Sequence, residues 1–109
     1  MAIRIVIAAD DDLTIYAAGH ILAADHRYRV SGTARNMDDL LALVEREPPD
    51  VILLNDWLHA IDVLSAVEML RRQTPCSRII VLGSLAEGQL ICELLDAGVR
   101  GYLFKRDDL

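Results

Sequence analysis

Short apolar runs rich in β-branched residues recur along the chain and predict five strands. Each run has the length of a buried strand and is bounded by acidic or turn-forming residues. The second run alternates arginine with Tyr28 and Val30, which is typical of a strand at the edge of a sheet. The predicted strands cover residues 3–9, 27–33, 50–55, 78–82 and 101–104.

The amphipathic stretches between these runs predict four helices. Acidic or amide side chains that can accept hydrogen bonds from a first helical turn precede three of them. The predicted helices run from Asp11 or Asp12 to about Asp25, from Asn36 to Pro48, from about Asp62 to Arg72, and from about Ala86 to Ala97 with Gly98 as C-terminal cap.

Strands and helices therefore alternate from end to end with short connections. This order predicts an α/β fold in which a five-stranded parallel sheet is covered by helices on both faces. A chain of 109 residues suits one domain, so we expect residues 1–109 to form a single doubly wound unit.

Composition narrows the functional classes. The net charge of −6 disfavours direct binding to nucleic acid by this segment, because phosphate backbones would be repelled. No apolar run approaches the length of a membrane span, and the N-terminus lacks the layout of a signal peptide, so a cytoplasmic protein is expected. Cys76 and Cys92 show no metal-binding spacing and are interpreted as small apolar fillers.

Candidate chemistry lies directly after the predicted strands, where open parallel sheets bind ligands. Polar residues at strand ends are also often ordinary loop residues. The pattern alone does not decide between a ligand site and the start of a loop. No glycine-rich phosphate loop or nucleophile elbow is present, which disfavours an enzyme or a cofactor carrier. The residues at these strand ends are Asp10, Asp11, Asn55, Asp56, Gly83, Ser84 and Lys105.

Three segments resemble the receiver domain of two-component response regulators. They are residues 49–54, 78–82 and 98–105, and the last, Gly-Val-Arg-Gly-Tyr-Leu-Phe-Lys, is similar to the LuxR-like group, which carries a C-terminal helix-turn-helix. The resemblance implies a flavodoxin-like (CheY-like) sheet of order 2-1-3-4-5 and the N-terminal part of a longer regulator. It also implies a fifth helix after the last strand, which is missing from this sequence and would leave an apolar face bare. Either the sequence is cut from a longer regulator, or this face pairs with a second copy or another chain.

The resemblance also assigns positions to the phosphorylation chemistry of the family, and most are altered. The phosphate-accepting aspartate falls on Asn55, and the two metal-binding acids fall on Ala9 and Asp10, with Asp11 as a substitute. A neutral carboxamide cannot form an acyl phosphate, so this receiver is predicted to be inactive as a phosphate acceptor. No cofactor is expected, and Mg²⁺ would bind only weakly at Asp10 and Asp11.

The remaining family positions are partly kept. The hydroxyl-bearing residue after the fourth strand falls on Gly83, with Ser84 beside it, the family lysine on Lys105, and the switch aromatic on Tyr102. Tyr102 can be a mobile switch or a fixed half-buried side chain. Trp57, in the loop over the site, can plug the former phosphate pocket or contact a partner.

Two alternatives concern the altered acceptor position. Asn55 either hydrogen-bonds Lys105 and holds the site in one state, or is a tolerated replacement of similar shape. The rival hypothesis is a phosphorylation-competent receiver that uses Mg²⁺ and Asp56 as a non-standard acceptor.

The resulting functional expectation is an atypical receiver that is not an enzyme. It would act as a regulatory and dimerisation module and control an attached or partner DNA-binding output. The expected partners are a second copy, through the fourth helix and fifth strand near Leu90, Leu94 and Tyr102, and a sensor kinase or other signalling protein. DNA would be bound only by a C-terminal domain absent here, and no membrane partner is expected.

Overall fold

Strands and helices alternate along residues 1–84 and 87–105, which are the residues that the computed structural model describes. The strands are β1 (Ile3–Ala8), β2 (Tyr28–Ala34), β3 (Val51–Asn55), β4 (Trp57–Leu58), β5 (Ile61–Asp62), β6 (Arg78–Gly83) and β7 (Gly101–Phe104). The helices are α1 (Asp12–Ala23), α2 (Met37–Arg46), α3 (Val63–Gln73) and α4 (Gly88–Asp96).

Five of the strands form one parallel sheet in the order β2-β1-β3-β6-β7. β6 and β7 are the fourth and fifth predicted strands, so the predicted doubly wound order 2-1-3-4-5 is confirmed. β2 lies at the edge, where its alternating polar side chains remain accessible to water. The central strand β3 pairs on both sides, which explains its continuous apolar run.

A small antiparallel hairpin of β4 and β5 replaces the loop predicted after β3. Trp57 pairs with Asp62 and Leu58 with Ile61, so His59 and Ala60 form the turn. Ala60 has a positive φ of 65°, a conformation that alanine rarely adopts. This hairpin could not be predicted from residue patterns, because its strands are too short to show a period and its turn contains no glycine.

The helix ends follow the local signals in the sequence. The side chains of Asp11, Asn36 and Asp62 each accept a hydrogen bond from a backbone N–H in the first turn of the next helix. Gly98 follows α4 with a φ of +106°, as expected of a C-terminal cap residue. The predicted start of the fourth helix at Ala86 lies outside the described residues, and the described helix begins at Gly88.

The two faces of the sheet are covered unequally. Helices α2, α3 and α4 bury one face, where the largest buried side chains include Leu40, Ile52, Leu54, Leu70 and Leu94. The opposite face carries α1, none of whose residues is fully buried. A groove of about 410 Å³ remains beside α1, lined by apolar side chains that include Ile21, Leu53, Ile80, Leu82 and Leu103.

Two expectations about individual side chains are wrong. Cys76 and Cys92 are free and exposed rather than buried fillers, because Cys76 lies in the turn before β6 and Cys92 on the solvent side of α4. Leu94 is fully buried, so it cannot contact a partner, whereas Leu90 and Tyr102 remain partly exposed. Within the described ranges, every helix is too short to cross a membrane.

Candidate functional site

Polar groups from three neighbouring strands meet beyond the carboxyl ends of β3, β6 and β7. The strand register places Asn55 beside Leu82 and Gly83 beside Phe104. The backbone N–H of Lys105 donates to the carbonyl of Gly83 at 2.7 Å, which continues the β6–β7 pairing past the end of β7. The sheet therefore brings the predicted site residues of these strands to one edge.

Asn55 lies at the centre of this edge and is only 4% exposed. Lys105 Nζ donates to Asn55 Oδ1 at 2.6 Å, so the predicted contact between these two residues is present. At its other end the amide Nδ2 donates to the backbone carbonyl of Trp57 at 3.1 Å. Both ends of the Asn55 carboxamide therefore have hydrogen-bond partners.

Asp11 serves as the N-cap of α1. Its Oδ2 accepts from the Thr14 backbone N–H at 2.9 Å and from the Thr14 hydroxyl at 2.7 Å. Burial opposes the charged form, but the Thr14 hydrogen bonds and the positive charge of Lys105 outweigh it. The pKa of Asp11 consequently lies below its ordinary value.

Two of the three acidic residues after β1 have partners of their own. Ala9 is fully buried and offers no side-chain oxygen, while Asp11 is committed to the helix cap and Asp12 to an ion pair with Arg35. Asp10 is half-buried beside them. Among residues 1–84 and 87–105, no group of three or more His, Cys, Asp or Glu side chains is placed to hold a metal ion.

Asp56 faces a different partner from Asn55, as strand alternation predicts. Its Oδ2 accepts from the backbone N–H of Ser84 at 2.9 Å and from the Ser84 hydroxyl at 3.1 Å. The Asp56 N–H donates to the Leu82 carbonyl at 2.8 Å. Asp56 therefore ties the end of β3 to the loop after β6, and the Ser84 hydroxyl is bound to Asp56.

The side chain of Tyr102, which pairs with Val81 in the sheet, extends to Gly83 at the end of β6. Gly83 is buried, and the half-buried Tyr102 packs against the core beneath α4. Position 83 carries no hydroxyl group in this chain, and the tyrosine ring occupies the adjoining space.

Trp57 contributes its backbone rather than its side chain to the site. Its carbonyl accepts from Asn55, while the indole is 64% exposed and therefore does not fill a pocket. Sequence reasoning missed this role, because a backbone carbonyl leaves no signal in residue identity. The hairpin places the carbonyl, and only the sheet geometry shows it.

Comparison with known proteins identifies the family. The profile of the response regulator receiver domain matches residues 5–109. The transcriptional regulatory protein YxjL of Bacillus subtilis is 28% identical over 103 residues, which is 94% of this chain and 47% of that protein. The chain thus spans about half the length of this curated relative.

Solved structures agree on the fold. A LuxR-family response regulator from Aurantimonas superposes with a TM-score of 0.90 at 18% identity, over 99% of this chain and 77% of that one. The receiver domain of NarL from Mycobacterium tuberculosis gives a TM-score of 0.88 at 23% identity, over 99% and 86% of the two chains. With the matching profile over nearly its whole length, the chain belongs to the response regulator receiver domain family.

Proposed function

We propose that this domain is an atypical receiver, a regulatory module that works without phosphorylation. The observation that carries the proposal is the buried carboxamide of Asn55, held between Lys105 Nζ and the Trp57 carbonyl. A carboxamide has no anionic oxygen to attack phosphorus. Its hydrogen bonds instead fix the ends of β3 and β7 and the first residue of the hairpin relative to one another.

Two further positions support the same conclusion. Ala9 removes a metal ligand and Gly83 removes a hydroxyl that would contact a phosphoryl group. Asn55, Ala9 and Gly83 therefore each lack a group that phosphoryl transfer would need, whereas the buried core of the fold is intact. We also propose that the domain is not an enzyme, since its site lacks an activated nucleophile.

The rival hypothesis is phosphorylation of Asp56 with Mg²⁺ bound at Asp10 and Asp11. Asp56 is partly exposed, which favours access. Against it, one carboxylate oxygen of Asp56 is held by two donors of Ser84, and Asp11 is engaged with Thr14. These hydrogen bonds would have to break before the Asp56 carboxylate could react with a phosphoryl donor.

Intact-protein mass spectrometry after incubation with acetyl phosphate and Mg²⁺ separates the two hypotheses. We expect no phosphoryl adduct on the wild-type chain or on Asp56→Asn, while a receiver with the acceptor aspartate is labelled in parallel. An adduct that disappears in Asp56→Asn would establish the rival hypothesis. Asn55→Asp tests whether the carboxylate alone restores labelling; we expect little, because Ala9 and Gly83 are unchanged.

We further propose how the module is used in the natural protein. Its curated relative YxjL is a transcriptional regulatory protein about twice as long as the match, which supports a DNA-binding output outside this segment. The acidic charge of the module itself opposes DNA contact. The proposed setting is a cytoplasmic regulator that dimerises and receives its input from a sensor kinase or another signalling protein.

A further inference from the structure

The side chain of Tyr102 lies against Gly83, in the space where a Cβ of residue 83 would be. A Cβ placed on Gly83 would overlap the Tyr102 hydroxyl oxygen and Cζ, and would lie 2.7 Å from Cε1. Distances below about 3 Å between such carbon atoms are sterically forbidden. The ring therefore fills the volume that any other residue at position 83 would need.

Backbone hydrogen bonds on both sides of Gly83 oppose a shift that would relieve such an overlap. The Gly83 carbonyl accepts from the Lys105 N–H at 2.7 Å, and the preceding Leu82 carbonyl accepts from the Asp56 N–H at 2.8 Å. The next N–H, of Ser84, donates to the Asp56 carboxylate at 2.9 Å. Since both neighbours of Gly83 are tied to β3, a side chain at position 83 would have to displace the ring.

We propose that Gly83 is a positioning residue that seats Tyr102 inward and so fixes the surface formed by α4 and β7 in one arrangement. The state of this surface is then set by the absence of a Cβ at position 83, and not by a phosphate. The inference rests on the proposed function for its regulatory meaning, but the steric seat can be tested separately.

A permanently seated Tyr102 has a consequence for recognition. Leu95 on α4 and Phe104 on β7 are 49% and 44% exposed, so apolar side chains remain on this surface while the tyrosine ring is turned in. A partner that binds α4 and β7 would therefore meet the same surface whether or not a phosphate donor is present.

Fluorine NMR of the full chain labelled with 3-fluorotyrosine reports directly on the environment of the Tyr102 ring. The chain contains only Tyr16, Tyr28 and Tyr102, and Tyr102→Phe assigns the third signal. We expect Gly83→Ala to shift the Tyr102 signal and to increase its change between H₂O and D₂O, as for a ring turned toward solvent. Gly101→Ala is the matched control, because its Cβ would meet only Ile80, at 3.9 Å, and should leave Tyr102 in place.

A double-mutant cycle keeps the inference testable if Gly83→Ala folds poorly. Overpacking of a filled site should raise the unfolding equilibrium constant by roughly tenfold in the wild-type background. In the Tyr102→Ala background the same substitution should have little effect, because the ring is gone. Equal effects in both backgrounds, or an unmoved Tyr102 signal in Gly83→Ala, would overturn the inference.

The phosphorylation assay distinguishes failure of this inference from failure of the proposed function. We expect the wild-type Tyr102 signal to be unchanged by acetyl phosphate and Mg²⁺. A phosphoryl adduct together with a displaced ring in Gly83→Ala would refute the phosphorylation-independent receiver, but it would leave the proposed role of Gly83 intact. The absence of an adduct together with an unmoved ring would refute the seat alone.

Discussion

At the residue scale, the carboxamide of Asn55 differs from a carboxylate because one of its ends is a hydrogen-bond donor. An aspartate could still accept from Lys105, but it would turn an oxygen toward the Trp57 carbonyl that Asn55 now satisfies. Position 55 therefore suits an amide better than a carboxylate, because the amide joins three backbone segments through two side-chain hydrogen bonds.

Removal of the Lys105 ammonium should leave the buried Asn55 Oδ1 without its partner. We expect Lys105→Met to lower the free energy of unfolding by about 1 kcal/mol, the usual net value of one such hydrogen bond. Urea unfolding at neutral pH measures the change. Arg100→Met, which removes an exposed cation just before β7, serves as control, and equal losses in both variants would contradict the assignment.

The cap at Asp11 predicts a dependence on pH. Asp11→Ala should cost about 1 kcal/mol at neutral pH, whereas Asp11→Asn keeps an oxygen acceptor and should cost less. Because the folded-state pKa of Asp11 lies below the ordinary value of 3.8, its charge stabilises the fold above that pH, and this contribution is lost as pH falls through the folded-state pKa. The stability gap between wild type and Asp11→Asn, followed by urea unfolding, should narrow in acid; a gap that widens would contradict the sign.

At the element scale, the β4–β5 hairpin is the part of the fold that depends most on tertiary context. Its two-residue strands cannot be stable alone, and its turn forces Ala60 to a φ of 65°. The hairpin is held at Trp57 by Asn55, and Leu58 is buried in the main core. These contacts outweigh the unfavourable backbone conformation.

Replacing Ala60 by glycine should relieve this backbone strain, whereas the same replacement within a helix should destabilise the fold. Glycine adopts positive φ without a Cβ penalty, so Ala60→Gly should raise the free energy of unfolding by about 0.5 kcal/mol after the entropy of the unfolded chain is counted. The same substitution at exposed Ala42 in α2 should lower it by about 1 kcal/mol. Thermal or urea unfolding of both variants measures the pair, and loss of stability at both positions would contradict the strained turn.

At the scale of the whole molecule, the described residues cover one face of the sheet with α2, α3 and α4 and leave the other, which carries α1, partly open. Ile21 on α1 is 71% exposed and Leu103 on β7 is 55% exposed, and they border the groove over β3 and β6. The bare strands leave room for about one more helix beside α1, given helix spacings of roughly 8–10 Å. Apolar surface of this kind favours association.

Self-association of the 109-residue chain through this open face is the expected result. Size-exclusion chromatography with light scattering should show a mass that rises above that of a monomer with concentration. Ile21→Ser and Leu103→Ser should weaken the association, whereas Leu95→Ser, on the opposite face, should not. A monomer at all concentrations would refute this prediction, and loss of association only in Leu95→Ser would shift the contact to α4 and β7.

Local patterns in the sequence were sufficient for three helix caps and for the parallel doubly wound architecture, whereas the strand order was implied by the resemblance to receiver domains. Periodicity of apolar side chains and capping by Asp11, Asn36 and Asp62 act within a few residues, so they can be read without the fold.

Only the tertiary structure decided which residues meet at the edge of the sheet. Lys105 reaches Asn55 across 50 positions, Ser84 turns to Asp56, and the Tyr102 ring fills the volume beside Gly83. These contacts depend on strand register and on side-chain rotamers, which are set by packing of the whole domain rather than by neighbouring residues. The sequence determined which chemical groups are available at the site, and the fold decided how those groups satisfy one another.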